Sequence, residues 1–169
     1  RFSGDLGGAE EWYKKGLARL TEDTSLHNEY GTLLGELGRY SGSIDHVSTA
    51  IERDANRSVA YYNRALTLER LELFDEALKD YDAVIDSNPI DLDAKLRKLD
   101  LLTQMGLFGD ATELLEELEE GERQTNEARE AQARMRNRQA IRAEATGDWQ
   151  GALQAPKDAL ALHPDFLAV

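Results

Sequence analysis

Hydrophobic residues recur along the chain at helical spacing, in segments that short turns separate. Residues 58–71 and 75–87 each place apolar side chains three or four positions apart, so both segments are predicted to be helices. Pro89 ends the second segment because proline has no N–H to donate and restrains the residue before it. The pattern therefore predicts a pair of helices joined by a short turn.

This helix pair recurs along the chain, and a small residue marks the same setting in five copies. The small residues are Ala9, Ser43, Ala77, Ala111 and Ala152. The first four lie thirty-four positions apart, and the fifth follows after forty-one. A large apolar residue stands three positions before each of them, at Leu6, Tyr40, Phe74, Phe108 and Trp149. We expect the two antiparallel helices to cross at the small residue, with the large one filling the space beside the crossing.

A glycine precedes the small residue by five positions in four copies, at Gly4, Gly38, Gly106 and Gly147. Glycine adopts positive φ without steric penalty, as a tight turn between two helices requires. Glu72 occupies this position in the remaining copy. An aliphatic residue follows the small one by eight positions, except where Glu119 breaks the pattern.

The thirty-four-residue unit, with its Gly–aromatic turn, alanine, later aromatic and closing proline, resembles the tetratricopeptide repeat (TPR). Residues 61–89 match closely, although Ala65 replaces the glycine usual in the first helix. The resemblance covers essentially the whole chain. It implies an all-α fold, a right-handed α-solenoid of stacked helix-turn-helix repeats with about nine helices.

The repeats are predicted to form a single array over residues 1–169. Its segments are the second helix of a truncated repeat (4–23), full repeats at 24–57, 58–91, 92–125 and 126–164, and the start of a further repeat (165–169). The seven extra residues of the last full repeat are expected within 120–135, where they lengthen its first helix by about two turns. Self-association through the incomplete terminal repeats is one consequence we consider.

Composition limits the classes of partner. The 33 acidic and 20 basic residues leave a net charge of −13, which argues against a nucleic-acid partner because phosphate binding needs a dense basic face. The acidity is compatible with a basic protein partner, or it only keeps the surface solvated. No apolar run is long enough to insert into a membrane. A cytoplasmic location is expected, although an upstream targeting signal would be invisible here.

No catalytic, cofactor or metal site is expected, and the chain is predicted not to be an enzyme. The absence of cysteine excludes disulfides, thiol catalysis and zinc–thiolate sites. His27, His46 and His163 are far apart in sequence, and they are interpreted as separate surface residues. The serines lack a Gly-x-Ser-x-Gly elbow, and no Gly-rich phosphate loop is present.

The TPR resemblance implies a concave groove, lined by the first helices, that binds peptides. The residues expected in this groove are Asn28, Thr32, Tyr62, Asn63, Leu66, Arg70, Leu96, Arg97, Asp100, Asn137 and Arg138. Hsp70/Hsp90 co-chaperones of the family hold a peptide's terminal carboxylate with lysine, asparagine and arginine. Only Asn63 and Arg97 match that clamp, and Asp93 at a lysine place would repel a carboxylate.

The leading hypothesis is a non-enzymatic protein–protein interaction module that binds a peptide segment of a partner protein in this groove. Tyr62 and Leu66 either anchor an apolar side chain of that peptide or only cover neighbouring helices. One alternative is a structural or oligomerising segment of a longer solenoid. Another is a scaffold domain attached to an enzyme.

Overall fold

The computed structural model describes residues 6–54 and 58–147, and every regular element within those ranges is a helix. The chain divides into two compact units, residues 1–90 and 91–169. Unit 1 contains α1 (Leu6–Leu17), α2 (Thr24–Glu36), α3 (Tyr40–Arg53), α4 (Ser58–Arg70) and α5 (Phe74–Ser87). Unit 2 contains α6 (Leu92–Met105), α7 (Phe108–Glu117), α8 (Glu120–Arg123) and α9 (Asn126–Thr146).

The first helices of the repeats begin at a period of thirty-four residues, at Thr24, Ser58, Leu92 and Asn126. Polar caps reinforce this period. The side chains of Asp23, Asp91 and Thr125 each accept a hydrogen bond from the backbone N–H three residues later. An N-cap of this kind stabilises a helix by about 1 kcal/mol. The repeat is therefore encoded by capping residues as well as by hydrophobic ones.

The paired helices cross where small residues let the backbones approach. A Cβ atom on Gly31 of α2 would lie 2.5 Å from Cγ2 of Val47 and 3.0 Å from the carbonyl oxygen of Ser43, both in α3. Ser43, Ala77 and Ala111 are at most 1% exposed. The predicted role of the small residue at the crossing is confirmed for these three copies. Ala152 lies outside the described residues.

A buried polar network centred on Arg64 of α4 joins three helices of unit 1. The guanidinium donates two hydrogen bonds of 2.7 Å to the carboxylate of Asp80 in α5 and one of 3.0 Å to Oγ of Ser48 in α3. Asp80 is buried, and its hydrogen bonds raise the pKa of Arg64. Removing Arg64 would leave the buried carboxylate of Asp80 without its charged partner, which destabilises the folded state. The sequence analysis missed this network.

The turn between the helices of a pair adopts positive φ. Gly38 has a φ of 73° and Gly106 a φ of 77°. The exception in the sequence pattern, Glu72, also adopts the left-handed region, with a φ of 58°. The prediction that this position needs positive φ is confirmed, and in the second full repeat a non-glycine residue bears the steric cost.

Unit 2 departs from the repeat pattern after α7. Leu118 takes an extended conformation, with a ψ of 136°, and buries its side chain, so α7 ends after ten residues. Glu119 then forms a capping box at the start of α8, where its backbone N–H donates a 2.7 Å hydrogen bond to the Glu122 carboxylate. Glu119 breaks the aliphatic pattern because it caps a new helix.

Glu122 also ties α8 to α6. The ammonium group of Lys95, a buried residue, donates hydrogen bonds of 2.8 and 3.1 Å to the two carboxylate oxygens of Glu122. These bonds are the main reason that the pKa of Glu122 is lowered from its ordinary value. The short helix α8 is thus held by a charged pair rather than by apolar burial.

The extra residues of the last repeat lie at the C-terminal end of α9, and the expectation that they fall within 120–135 is wrong. Arg134 of α9 donates a 2.9 Å hydrogen bond to Asp100 of α6, thirty-four positions earlier. Ala128 and Ala133 are buried, as are the α6 residues thirty-four positions before them. The first part of α9 therefore keeps the ordinary period.

The extension begins where the ordinary repeat would turn. Thirty-four positions after Gly106 stands Ala140, which is buried within the helix, and alanine favours the helical conformation. The helix continues until Gly147, which adopts a φ of 80°. α9 has 21 residues where α6 has 14, a difference of about two turns.

Replacing Glu72 by glycine should raise the free energy of unfolding by roughly 0.5–1 kcal/mol, because glycine adopts its positive φ without strain. The matched variant, Gly38→Ala, should lower the stability by about as much. A Cβ atom on Gly38 meets no atom within 4 Å, so this variant isolates the backbone cost. Urea unfolding followed by circular dichroism measures both. A Glu72→Gly protein less stable than the unaltered chain would contradict the argument.

Replacing Glu122 by glutamine should destabilise the chain by about 1 kcal/mol at pH 7. The pKa of Glu122 is lower in the folded state, so its contribution is present above its unfolded pKa and lost as the pH falls through the folded value. The difference between the two proteins should therefore shrink below about pH 4.5. Glu120→Gln, at a largely exposed carboxylate, is the control and should change little. A difference that is independent of pH would refute the role of the pair.

Candidate functional site

The first helices of the two full repeats in unit 1 enclose a small pocket. We call it the α2–α4 pocket, and its volume is about 200 Å³. Its lining residues are Thr32, Gly35, Glu36, Tyr40, Asn63, Leu66, Thr67 and Arg70. Glu36 and Arg70 are exposed and carry opposite charges, whereas Leu66 and Tyr40 are half-buried and supply apolar surface. The pocket therefore combines an apolar wall with charges of both signs.

The pocket is open because α2 has a glycine there. A Cβ atom on Gly35 would lie 3.2 Å from Oγ of Ser43 and 3.3 Å from Oγ1 of Thr67. These two hydroxyl groups share a hydrogen bond of 3.1 Å beneath the pocket, and the Thr67 hydroxyl also donates to the carbonyl oxygen of Asn63. The base of the pocket is therefore polar, internally paired and fixed in position.

One further hydrogen bond links α4 to α2, and another holds Thr32 within α2. The side-chain amide of Asn63 donates a 3.1 Å hydrogen bond to Oδ1 of Asn28, which is buried. The Thr32 hydroxyl donates to the carbonyl oxygen of Asn28 at 2.9 Å. Asn28 therefore acts beneath the surface, where it orients the amide of Asn63.

The structure brings four of the residues predicted for the groove together in the pocket: Thr32, Asn63, Leu66 and Arg70. Tyr62 is not among the lining residues. Its half-buried ring packs edge-on against the buried ring of Tyr81, with 5.9 Å between the centroids. Tyr62 thus covers the second helix of its own repeat, one of the two interpretations that the sequence allowed.

In unit 2, the predicted residues lie on α6 and α9. Leu96 is half-buried and Arg97 is exposed on α6. The carboxylate of Asp100 accepts hydrogen bonds of 2.9 to 3.1 Å from Arg134, so it is engaged within the unit. An ion pair with nearly half of each side chain exposed contributes little stability, but it neutralises this part of the surface.

Asn137 is half-buried and Arg138 is exposed on α9. Their predicted positions in the groove assume that α9 aligns with α6 at the turn glycines Gly147 and Gly106, forty-one residues apart. The observed register pairs α9 with α6 at thirty-four residues, as Arg134 and Asp100 show. Asn137 and Arg138 therefore lie seven residues further along α9 than predicted, about 10 Å. Seven residues are close to two turns, so both keep the expected face.

Sequence reasoning missed Gly35, Tyr40 and Thr67 in the pocket. Tyr40 is the first residue of α3, a second helix, whereas the groove is predicted to be lined by first helices. Its place three positions before Ser43 indicated packing alone. Gly35 itself was a signal of the pocket. A glycine inside a helix lowers the stability of the helix, so its presence indicates a close approach or an open space beside it.

His27 and His46 form a close pair, and the expectation that the histidines lie far apart is wrong for these two. Their Nδ1 atoms are 3.0 Å apart across α2 and α3, and their ring centroids are 5.1 Å apart. Burial is the main cause that lowers the pKa of His46. Nineteen residues separate the two, so no spacing rule within one helix finds them. His163 lies outside the described residues.

Within residues 6–54 and 58–147, no group of three or more histidine, aspartate or glutamate side chains is arranged to hold a metal ion. No helix of the described part of the chain combines the length and the apolar character that a bilayer span requires.

Comparison with known proteins gives one family match. The sequence profile described as "Tetratricopeptide repeat" matches residues 28–91 and 62–128. Together the two matches span more than half of the chain, and they include all lining residues of the α2–α4 pocket, from Thr32 to Arg70. A curated relative, DnaJ homolog subfamily C member 3 of Gallus gallus, is 27% identical over 107 residues. That match covers 63% of this chain and only 21% of the relative, so the chain spans about a fifth of its length.

Solved structures share the fold at low sequence identity. A crystal structure of MamA is 19% identical with a TM-score of 0.72, and the alignment covers 98% of this chain and 93% of MamA. A tetratricopeptide repeat protein from Parabacteroides merdae is 20% identical with a TM-score of 0.77, over 95% of this chain and 61% of that one. The predicted fold class, an all-α solenoid of helix-turn-helix repeats, is confirmed.

Proposed function

The chain belongs to the tetratricopeptide repeat family, whose repeats are protein–protein interaction modules, and from this premise we propose that unit 1 binds a peptide segment of a partner protein. The proposed site is the α2–α4 pocket. The observation that carries the proposal is the convergence of Thr32, Asn63, Leu66 and Arg70 on one cavity between consecutive first helices.

The size of the pocket supports a peptide side chain as its occupant. Pockets that hold small-molecule ligands usually measure about 300–1,000 Å³. The α2–α4 pocket, at about 200 Å³, is smaller and suits a single apolar side chain. Leu66 and Tyr40 would bury that side chain, which is the usual role of an anchor in peptide recognition.

Polar groups around the pocket would orient the rest of the peptide. Asn63 uses one N–H for Asn28 and has a second N–H and a carbonyl oxygen, which suit a peptide backbone. Glu36 and Arg70 offer charges of both signs, so a peptide with a basic and an acidic residue flanking its apolar anchor fits best.

In unit 2, taken by itself, we propose Leu96 and Arg97 of α6 and Asn137 and Arg138 of α9 as peptide-contacting residues. Asp100 is proposed only as the partner that positions Arg134. On this proposal the module has no catalytic role and needs no cofactor. A cytoplasmic location and a role as a scaffold within a longer protein stay predictions.

Leu66→Ala should weaken peptide binding at least fivefold, because it removes apolar surface from the pocket wall, a loss of about 1 kcal/mol or more. The probe is a peptide selected on the unaltered protein from a library of random dodecapeptides, and fluorescence anisotropy measures its affinity. Asn63→Ala should also weaken binding, since it removes a donor and an acceptor.

Val59→Ala is the matched control, because Val59 is 58% exposed on the same helix and does not line the pocket. Its affinity for the peptide should match that of the unaltered chain. Equal affinity for the Leu66→Ala protein, with its helicity preserved, would exclude the α2–α4 pocket as the binding site.

A second candidate function, self-association, is favoured by the surface of α1. Trp12 is 61% exposed and Leu20, just after α1, is 57% exposed. Both border an open hollow of about 660 Å³ that Gly16 and Ala18 help to line. Large exposed apolar side chains at one place are typical of interaction surfaces. We propose that a second copy of the chain covers this surface.

Trp12→Ser should lower the fraction of dimer, because the indole ring is the largest apolar group in the proposed contact. Light scattering during size-exclusion chromatography, over a hundredfold range of concentration, measures the mass. Ile90→Ser is the control, since Ile90 is 78% exposed and does not border the hollow. A monomer mass for the unaltered chain at every concentration would reject this candidate.

A further inference from the structure

The histidine pair of unit 1 brings two potential metal ligands together. His27 lies in α2 and His46 in α3, and both rings turn the same nitrogen, Nδ1, toward each other at 3.0 Å. Neither histidine stands at one of the recurring positions of the repeat, so the repeat pattern assigns these two imidazoles no structural role. Both rings are partly accessible, so a small cation can reach them.

The hydrogen bonds assign the free lone pair of His27. Its Nε2 lies 3.1 Å from the carbonyl oxygen of Thr21. A carbonyl oxygen only accepts, so Nε2 carries the proton, and Nδ1 of the neutral ring is left with a lone pair. A backbone carbonyl that holds the remote N–H of an imidazole is the usual support of a metal-binding histidine.

The surroundings of His46 position its ring and attract a cation. Its ring packs against the buried ring of Tyr30, with 4.6 Å between the centroids. Its Nδ1 donates the hydrogen bond to His27 in the neutral pair, and moving that proton to Nε2 frees a second lone pair. The neighbouring carboxylate of Asp45 attracts a cation, as does the net charge of −13.

We propose that His27 and His46 bind one divalent transition-metal ion through their Nδ1 atoms, with copper(II) preferred, and that water completes the coordination. The ion replaces the hydrogen bond between the two rings. Each ring turns so that its lone pair leaves the line between the nitrogens.

The ligand type selects the metal. Imidazole nitrogen binds zinc, copper and nickel, and copper(II) has the highest affinity for nitrogen ligands among the divalent metals of its series. The 3.0 Å between the two Nδ1 atoms is the length of their hydrogen bond, and it brings both ligands within reach of one ion. Zinc follows copper in that series with a lower affinity, so it should bind more weakly.

The site is distinct from the α2–α4 pocket. Gly35 of the pocket follows His27 by eight residues on α2, about 12 Å along the helix. Neither histidine lines the pocket. The proposal therefore does not depend on peptide binding, and its test can succeed or fail independently.

The test is a calorimetric titration of the full chain, without an affinity tag, with copper(II) chloride and glycine as a competing ligand. One equivalent should bind. His27→Gln and His46→Gln should each weaken binding at least tenfold. His163→Gln, at the third histidine, is the matched control and should bind as the unaltered chain does. Zinc should bind at least tenfold more weakly than copper.

Two further readouts separate the site from adventitious binding. Electron paramagnetic resonance of the one-to-one copper complex should show two nitrogen ligands, and the double variant should lose that signal. One equivalent of copper should also raise the melting temperature, because the ion links α2 to α3 only in the folded chain. If circular dichroism shows that the His46→Gln protein is unfolded, the His27→Gln protein carries the test.

Equal copper affinity in the double variant would overturn the proposal, and so would loss of binding in His163→Gln. Zinc binding as tight as copper binding would overturn the choice of metal.

Discussion

The close crossing of antiparallel helices is the constraint on which the rest of the structure depends. At Gly31 the backbones of α2 and α3 approach so closely that a Cβ atom would lie 2.5 Å from Val47. Any side chain at position 31 would push α2 and α3 apart and would break the contacts that Ser43 makes between them. The equivalent small residues, Ala77 and Ala111, are also buried. The pocket and the histidine pair both lie beside the first of these crossings.

Features that recur in several repeats were predictable from the sequence, because the same residue type at the same position in several copies indicates the same structural role. The small residue, the turn with positive φ and the thirty-four-residue period follow from backbone sterics that act alike in every copy. Even Glu72 obeys the rule, since the turn geometry is imposed by the packing of its two helices. Residues that occur once gave no such signal. The bidentate contact of Arg64 with Asp80 and the pairing of His27 with His46 depend on side-chain directions across two helices.

The end of the array shows why one alignment misplaces an insertion. Counting back from the turn at Gly147 puts the extra residues before α9, whereas counting forward from the N-caps Asp91 and Thr125 puts them after Gln139. Both counts use real signals, and the contact of Arg134 with Asp100 decides between them. At the same place in the repeat, α6 ends at Gly106, whereas α9 continues through Ala140 and ends at Gly147.

The two proposed sites share α2, and this raises the question of whether they are coupled. Coupling requires an element with two arrangements whose equilibrium both ligands shift. The hydrogen bonds of Ser43, Thr67 and Asn63 hold the base of the α2–α4 pocket in the arrangement that the structure shows. A cation between His27 and His46 would link α2 to α3 and stabilise the folded pair, without changing the shape of the pocket. The geometry therefore favours two independent sites on one hairpin, in which the metal acts on stability and the peptide on recognition.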